Sequence, residues 1–202
     1  MPGPEPGESW GVLGGVFDPV HRGHLALAQD IQAKAGLDGI LFVPADKTPH
    51  RELKQGASFD QRCHMLELAL DDELSFRLDR IEHDAQLRGY TLDTIRELKK
   101  RYPHTVFRFI IGTDNLLGFK TWFHWEELLG EIKLLVGCRP GVDPPDLSKF
   151  PPGRVELVTT SLVDLSSTGV REVVRNGASR DELLKAVPAP VADYILKERL
   201  YR

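Results

Sequence analysis

The stretch that decides the fold reads Gly14-Gly-Val-Phe-Asp-Pro-Val-His-Arg-Gly-His24. It follows a short apolar run that starts at Trp10, and after it apolar residues recur at helical spacing. Gly14 and Gly15 let the backbone come close to a ligand. The start of the next helix offers unpaired N–H groups and the positive end of its dipole, which suit a phosphate. His21 and His24, three residues apart at that start, are predicted to lie on one side and to face the anion.

The rest of the chain repeats this alternation of strands and helices. Strands are predicted at 39–43, 74–79, 106–111, 132–137 and 154–160. Helices are predicted at 59–70, 91–102, 126–130, 168–176, 179–186 and 189–199, with Ser58 in a capping box and Thr91 as an N-cap. This order predicts an α/β fold, a doubly wound parallel sheet with helices on both faces and a helical C-terminal segment. Such sheets bind ligands beyond the carboxyl ends of their strands, at the switch point.

Length and composition limit the classes of protein that fit. The 202 residues suit one domain, expected at 10–202, after a disordered tail at 1–9 that holds three prolines and two glycines. A net charge of −4 argues against nucleic acid as the main partner. Cys63 and Cys138 form neither a disulfide framework nor a CxxC motif. Without an apolar run of membrane length or a signal peptide, no membrane association and a cytoplasmic location are expected.

A second candidate anion site lies near the other end of the chain, at Asp164-Leu-Ser-Ser-Thr-Gly-Val-Arg171. Its hydroxyls and free N–H groups stand at a helix start, and Arg171 follows within the first turn. This combination is that of an anion clamp, although Ser and Thr are also ordinary helix caps.

Two further segments follow strands. The loop Phe42-Val-Pro-Ala-Asp-Lys-Thr-Pro-His-Arg51 carries positive charge at its tip. In Ile110-Ile-Gly-Thr-Asp-Asn-Leu-Leu-Gly-Phe-Lys-Thr-Trp-Phe-His-Trp125, Asp114 can accept hydrogen bonds from ribose hydroxyls or lie near a magnesium–phosphate cluster. Trp122, Phe123 and Trp125 offer flat faces for a heteroaromatic ring, although core packing is the commoner use of such a cluster.

Together these motifs resemble the HxGH nucleotidylyltransferase superfamily and, within it, the bacterial nicotinate mononucleotide adenylyltransferases. Further matches are Gly89-Tyr-Thr91, Leu135-Val-Gly-Cys-Arg-Pro-Gly141 and a terminal segment of the form Y-I-x-x-x-x-L-Y. The resemblance implies a Rossmann-like fold and adenylyl transfer from ATP to nicotinate mononucleotide, with Mg²⁺ carried on ATP and no dedicated metal site. A homo-oligomer is left open.

The resemblance also implies roles for individual residues. Three are implied to be catalytic: His21, His24 and Arg171. A second group is implied to bind ATP: Gly14, Gly15, Phe17, Asp18, His24, Gly112, Asp114, Ser167, Thr168 and Arg171. A third is implied to bind nicotinate mononucleotide, with Trp122 stacking on the pyridine ring: His50, Arg51, Tyr90, Thr91, Trp122, Phe123 and Arg139.

Other interpretations are weighed against this one. Another HxGH adenylyltransferase would use nicotinamide mononucleotide or a pantetheine phosphate as acceptor, and the PH-R loop and the Trp-Phe pair argue against the second. A nucleotide-sensing module without catalysis is disfavoured by the intact His21, His24 and Arg171. The absence of G-x-G-x-x-G disfavours an NAD-dependent dehydrogenase.

Overall fold

A parallel sheet forms the centre of the molecule in the computed structural model, which describes residues 3–47, 56–139, 141, 143–161 and 165–202. Its six strands run in the same direction. They are β1 (Ser9–Gly15), β2 (Gly39–Pro44), β3 (Phe76–Leu78), β4 (Val106–Gly112), β5 (Lys133–Cys138) and β6 (Val155–Thr159). The predicted strands are all present, with ends shifted by one or two residues.

Helices connect these strands and follow the last one. They are α1 (Arg22–Ala35), α2 (Phe59–Leu70), α3 (Ile81–Asp84), α4 (Thr91–Arg101), α5 (Thr113–Gly118), a 3₁₀ turn (Phe119–Thr121), α6 (Trp125–Glu131), α7 (Ser167–Arg175), α8 (Arg180–Leu184) and α9 (Ala189–Lys197). None of the helices in the described part of the chain is long and apolar enough to cross a membrane.

The strand order β3-β2-β1-β4-β5-β6 is that of a doubly wound sheet. The chain builds β1 to β3 toward one edge and then returns to add β4 beside β1. The order therefore reverses between β1 and β4, and this is the switch point at which ligands of such sheets bind. Both His21 and Asp114 follow strands that end there, as the sequence predicts.

Hydrophobic cores cover both faces of the sheet. Side chains alternate along each strand, so in β2 Ile40 and Phe42 join one core and Leu41 and Val43 the other. The first core also takes the apolar faces of α1, α2 and α7 to α9. The second takes those of α3 to α6. The predicted helices on both faces and the C-terminal helical segment are thereby confirmed.

Local sequence signals explain most helix starts. The predicted capping box at Ser58 is present, since Ser58 Oγ accepts from the Gln61 N–H at 3.2 Å and Gln61 Oε1 accepts from the Ser58 N–H at 2.9 Å. Thr91, predicted as an N-cap, is instead the first helical residue of α4. Tyr90 holds the cap position because its backbone is extended and its carbonyl accepts from the Thr94 N–H at 3.2 Å.

The predicted disordered tail differs from the structure over residues 3–8. The Gly7 N–H donates to the His104 carbonyl at 3.0 Å, and the Val106 N–H donates to the Glu8 carbonyl at 2.8 Å. These two bonds hold the segment along the start of β4, and β1 already begins at Ser9. The proline and glycine content predicts a lack of regular secondary structure. It does not predict a lack of hydrogen bonds to the rest of the protein.

Candidate active site

The two predicted histidines lie together at the start of α1. His21 is the N-cap, with an extended backbone, and His24 is in the first turn. Their rings stack with centroids 3.7 Å apart. The His21 N–H donates to His24 Nδ1 at 3.2 Å. A neutral His24 that accepts at Nδ1 carries its proton on Nε2, so it can donate from that atom.

Both imidazoles are in a poorly hydrated environment. Burial lowers the pKa of His21 to about 4. Burial, together with the neighbouring His21, lowers the pKa of His24 to about 3. Without a ligand the pair is therefore neutral at pH 7 and acts as hydrogen-bond donors rather than as cations.

A cavity of about 450 Å³, which we call the histidine cavity, opens beside this pair. It lies at the ends of β4 and β5 and at the starts of α1 and α7. Its walls are His21, Gly23, His24, Leu27, Gly112, Thr113, Asp114, Asn115, Arg139, Leu165, Ser166 and Ser167. Histidine and arginine donors, hydroxyls and the N-termini of α1 and α7 therefore face one space, a combination that suits an anionic ligand such as a polyphosphate.

The start of α7 is tied to the loop between β1 and α1, residues 16–21, which we call the histidine loop. Ser166 caps the helix, with its Oγ accepting from the Gly169 N–H at 3.1 Å. Ser167 Oγ donates to the Pro19 carbonyl at 2.9 Å. The Ser167–Pro19 bond thus joins two segments that are 148 residues apart in sequence.

Three residues predicted to touch ATP or act in catalysis lie beside the histidine cavity rather than on its wall. Arg171 Nη1 donates to the Asp18 carbonyl at 2.7 Å, and its Nη2 donates to Thr168 Oγ1 at 3.1 Å. The Asp18 carboxylate is buried and accepts at Oδ1 from the Ala57 N–H at 3.0 Å. Arg171, Thr168 and Asp18 thus brace the loop that carries the histidines.

Phe17 is also a supporting residue. It is 2% exposed and packs between His24 and Phe42, with centroid distances of 5.0 and 5.7 Å. A Cβ at Gly15 would make a tight contact of 3.2 Å with the Phe17 ring. The Phe17 side chain therefore sets the orientation of His24 from behind.

A second cavity, of about 470 Å³, adjoins the first; we call it the tryptophan cavity. Its walls are Val12, Gly14, Gly15, Val16, Val43, Ala45, Glu82, Gly89, Thr91, Thr94, Phe109, Ile111, Asn115 and Trp122. Asn115 belongs to the walls of both cavities. The two spaces therefore meet at the switch point, and Gly14 and Gly15, predicted at ATP, line the tryptophan cavity.

The aromatic residues after β4 divide into two groups. Trp122 lines the tryptophan cavity and packs on Phe119 with centroids 5.0 Å apart. Phe123 and Tyr90 stack on each other at 4.2 Å, with the Arg88 guanidinium over both rings. Neither ring is on the cavity wall, so this stack joins the start of α4 to the segment that carries Trp122.

Arg139, predicted to bind nicotinate mononucleotide, lies on the wall of the histidine cavity. It follows β5, and β5 pairs with β4 on the side away from β1 and β2. The strand order therefore carries it to the histidine side of the switch point. His50 and Arg51 lie outside the described residues.

Several site residues escaped the sequence reasoning. Asn115 is adjacent to the singled-out Asp114. Glu82 is 8% exposed and accepts from Thr94 Oγ1 at 2.8 Å and from the Asp46 N–H at 3.3 Å. Its burial, together with nearby Asp46, raises the pKa of its carboxyl above the ordinary range. No local pattern marks a glutamate on a short helix as buried, so only the three-dimensional arrangement identifies it.

Arg62 of α2 is another such residue. It is 2% exposed, and its Nη1 and Nη2 donate to the carbonyls of Val16 and Ala45 at 2.6 and 2.8 Å. Val16 and Ala45 follow β1 and β2 and line the tryptophan cavity. Arg62 therefore fixes two walls of that cavity from behind.

No group of three or more histidine, cysteine or acidic side chains with the geometry of a metal site is found among the described residues. Among the described residues that line the histidine cavity, Asp114 is the one carboxylate. A single carboxylate fits a magnesium ion that arrives on a nucleotide and keeps most of its ligands from phosphate and water.

Comparison with known proteins agrees with this geometry. Residues 12–173 match the Cytidylyltransferase-like family. A protein of Exiguobacterium sibiricum named "probable nicotinate-nucleotide adenylyltransferase" is 38% identical over 194 residues, which cover 95% of this chain and 97% of that protein. The nicotinate-nucleotide adenylyltransferase of Escherichia coli O157:H7 is 36% identical with the same coverage.

Solved structures show the same fold. The nicotinic acid mononucleotide adenylyltransferase of Plasmodium falciparum, complexed with NaAD, superposes with a TM-score of 0.80 at 21% identity and covers 96% of this chain and 97% of that one. The same protein complexed with APC gives a TM-score of 0.79 at 20% identity. Because the bacterial relatives are 36–38% identical over nearly the whole length, the chain belongs to the nicotinate-nucleotide adenylyltransferases of the Cytidylyltransferase-like family.

Proposed function

We propose that this protein transfers the adenylyl group of ATP to nicotinate mononucleotide and releases pyrophosphate, giving nicotinate adenine dinucleotide for NAD biosynthesis. The observation that carries the proposal is the pair of adjoining cavities that share Asn115 at the switch point. One has the donors of an anion site and the other an aromatic wall. Two nucleotides placed in them would bring their phosphates together at the shared residue.

The histidine cavity holds ATP in this proposal. His21, His24 and Arg139 lie beside the triphosphate with the N-terminus of α7. The acceptor is a phosphate that is already ionised at pH 7, so its oxygen can attack the α-phosphorus without a general base. Catalysis then consists of in-line positioning and of stabilising the charge that develops on phosphate oxygens.

His21, His24 and Arg171 are the catalytic residues in this proposal. The neutral histidines donate hydrogen bonds to the oxygens of the reacting phosphate and could take up a proton when the triphosphate arrives. Arg171 stands one helical turn after the cavity-lining Ser167 and is assigned to the charge of the leaving pyrophosphate. Such donors stabilise a transition state best where hydration is poor, as at His21, which is 5% exposed.

Nucleotidyl transfer generally uses a divalent metal, and we assign Mg²⁺ carried on ATP, with Asp114 as the carboxylate that would help to hold it. When bound, the ion would neutralise phosphate charge and orient the leaving group. Gly112 and Thr113 would shape the same end of the site.

The tryptophan cavity holds nicotinate mononucleotide in this proposal. Trp122 stacks on the pyridine ring, and Thr91 places the first turn of α4 against the ring carboxylate. Free N–H groups and the positive end of the helix dipole favour an anion there over the neutral amide of the nicotinamide compound. Tyr90 and Phe123 support Trp122 through their stack, and His50 and Arg51 are assigned to the acceptor phosphate.

The test is a pyrophosphate-release assay of the full chain with ATP and each of three acceptors: nicotinate mononucleotide, its amide and phosphopantetheine. The expected result is a kcat/KM for the acid about 10²-fold or more above that for the amide, from dipole and donor-pairing effects of a few kcal/mol together. Phosphopantetheine should give no turnover. Equal values for acid and amide would refute the role of the α4 start, and turnover with phosphopantetheine alone would refute the proposed function. We also propose that the protein acts in the cytoplasm, where both nucleotide substrates would be available.

A further inference from the structure

Tyr201, which follows α9, reaches back to the loop that carries the histidines. Its hydroxyl donates to Asp18 Oδ1 at 2.8 Å, across 183 residues of sequence. To place this ring the chain adopts left-handed backbone conformations at two residues other than glycine, Arg199 with φ 53° and Tyr201 with φ 65°. Such conformations are unfavourable for these residue types and persist where surrounding contacts impose them.

Asp18 connects that hydroxyl to two other segments. The Asp18 side chain is 9% exposed, and its Oδ1 also accepts from the Ala57 N–H at 3.0 Å. Gly56 leaves room for this contact, since a Cβ there would lie 2.1 Å from Asp18 Oδ2. The main-chain carbonyl of Asp18 accepts from Arg171 Nη1 at 2.7 Å. Asp18 is therefore the meeting point of the histidine loop, the entry to α2, the start of α7 and the segment after α9.

The charges around Asp18 require Tyr201 to act as a donor. Burial and the neighbouring carboxylate raise the pKa of the Tyr201 hydroxyl far above its ordinary value, so it stays protonated. Oδ2 lies 3.9 Å from Arg171 Nη1, which is longer than a hydrogen bond. Tyr201 and Ala57 thus supply the close donors to Oδ1, and loss of the tyrosine hydroxyl would leave this buried oxygen with the Ala57 N–H as its described partner.

We propose that Tyr201 is a positioning residue of the ATP site, which acts through Asp18 to fix both the histidine loop and the guanidinium of Arg171. It lies on the wall of neither the histidine cavity nor the tryptophan cavity, so its effect reaches the substrate through other residues. This inference rests on the proposed function, which assigns the histidine cavity to ATP. The contacts that carry it are independent of which acceptor is used.

The first test is Tyr201→Phe, which removes only the hydroxyl. Losing one donor to a buried carboxylate is expected to lower kcat/KM for ATP about tenfold. KM for the acceptor should stay within twofold of the wild type, because the tryptophan cavity is braced separately by Arg62. Tyr194→Phe is the matched control; its ring packs on His64 near the same end of the chain, and it should leave both parameters unchanged.

Calorimetric titration with ATP examines the same site without turnover. The Kd for ATP should rise about fivefold or more in Tyr201→Phe and stay constant in Tyr194→Phe. If the wild-type protein bound ATP but released no pyrophosphate with any acceptor, the proposed function would fail while the test of Tyr201 stayed valid. Unchanged ATP affinity and kinetics in Tyr201→Phe would overturn the inference, as would equal increases in both KM values.

A double-mutant cycle tests the route through Asp18. In an Asp18→Ala background the hydroxyl has no carboxylate to bind, so adding Tyr201→Phe should change the Kd for ATP by less than twofold. In Asp18→Asn, whose amide oxygen can still accept, Tyr201→Phe should keep its full effect, and this background serves if Asp18→Ala does not fold. Effects that simply multiply in Asp18→Ala, or vanish in Asp18→Asn, would contradict the proposed route.

Discussion

Acid should destabilise this protein through its stacked histidines. Their folded-state pKa values, about 4 for His21 and about 3 for His24, lie below the ordinary value of 6.5. Below pH 6.5 the unfolded chain therefore binds protons that the folded chain does not. Stability rises with pH wherever the unfolded state holds more protons, so these groups stabilise fully above pH 6.5 and progressively less as the pH falls toward 4.

The magnitude follows from these pKa values. At pH 5.5 each histidine lies one unit below its unfolded pKa and well above its folded one, which costs about 1.4 kcal/mol per group. The pair should therefore lower the free energy of unfolding by roughly 3 kcal/mol between pH 7.5 and pH 5.5. That is a large part of the total stability of a domain, about 5–15 kcal/mol.

Urea unfolding at pH 7.5, 6.5 and 5.5 measures this loss in the wild type and in His21→Asn/His24→Gln. The double variant should lose about 3 kcal/mol less than the wild type over the same interval. His104→Asn is the control, since His104 is exposed and accommodates a left-handed φ of 71° that asparagine tolerates. Equal pH dependence in the wild type and the double variant would refute the burial argument for the pair.

Three further predictions concern single residues. His24→Ala should lower kcat about 10²–10³-fold while weakening ATP binding far less, because a preorganised donor acts mainly on developing charge; a near-normal kcat would remove His24 from catalysis. Trp122→Ala should raise KM for the acceptor, because a stacking energy of about 1–3 kcal/mol is lost, and should leave KM for ATP unchanged. Trp125 is not on the cavity wall, so Trp125→Ala should leave both KM values unchanged. Arg62→Met should lower the free energy of unfolding by about 2–4 kcal/mol in urea titrations, since two carbonyls lose their donors. Arg80→Met, which breaks the exposed Arg80–Asp60 pair, is the control and should lower that free energy by less than about 0.5 kcal/mol. A loss for Arg62→Met as small as that control would contradict its bracing role.

Local pattern was enough to predict the strands and most of the helices. Apolar runs and the capping box at Ser58 are encoded within a few residues, and the spacing of His21 and His24 at a helix start predicts their common side. The single turn of α3 and the short α5, which carries Asn115, were missed because so few residues give no measurable periodicity.

Long-range contacts are the part that local pattern could not supply. Arg62 sits on an amphipathic helix, where a charged residue is expected to face solvent, yet it is 2% exposed because two strand ends offer it carbonyls. Arg139 follows β5, and only the strand order β1-β4-β5 brings it to the wall of the histidine cavity. In both cases the neighbour that decides the role is remote in sequence.

The position of Asn115 on the walls of both cavities has a consequence for redesign. The tryptophan cavity, which we propose holds the acceptor, takes walls from β2, α3, the start of α4 and Trp122, while α1 and α7 line the histidine cavity. Grafting acceptor-side segments from a relative with a different substrate should therefore transplant selectivity, provided that the four residues from Gly112 to Asn115 stay native. Replacing these four residues would disturb both cavities at once, so chimeras are best joined on either side of them.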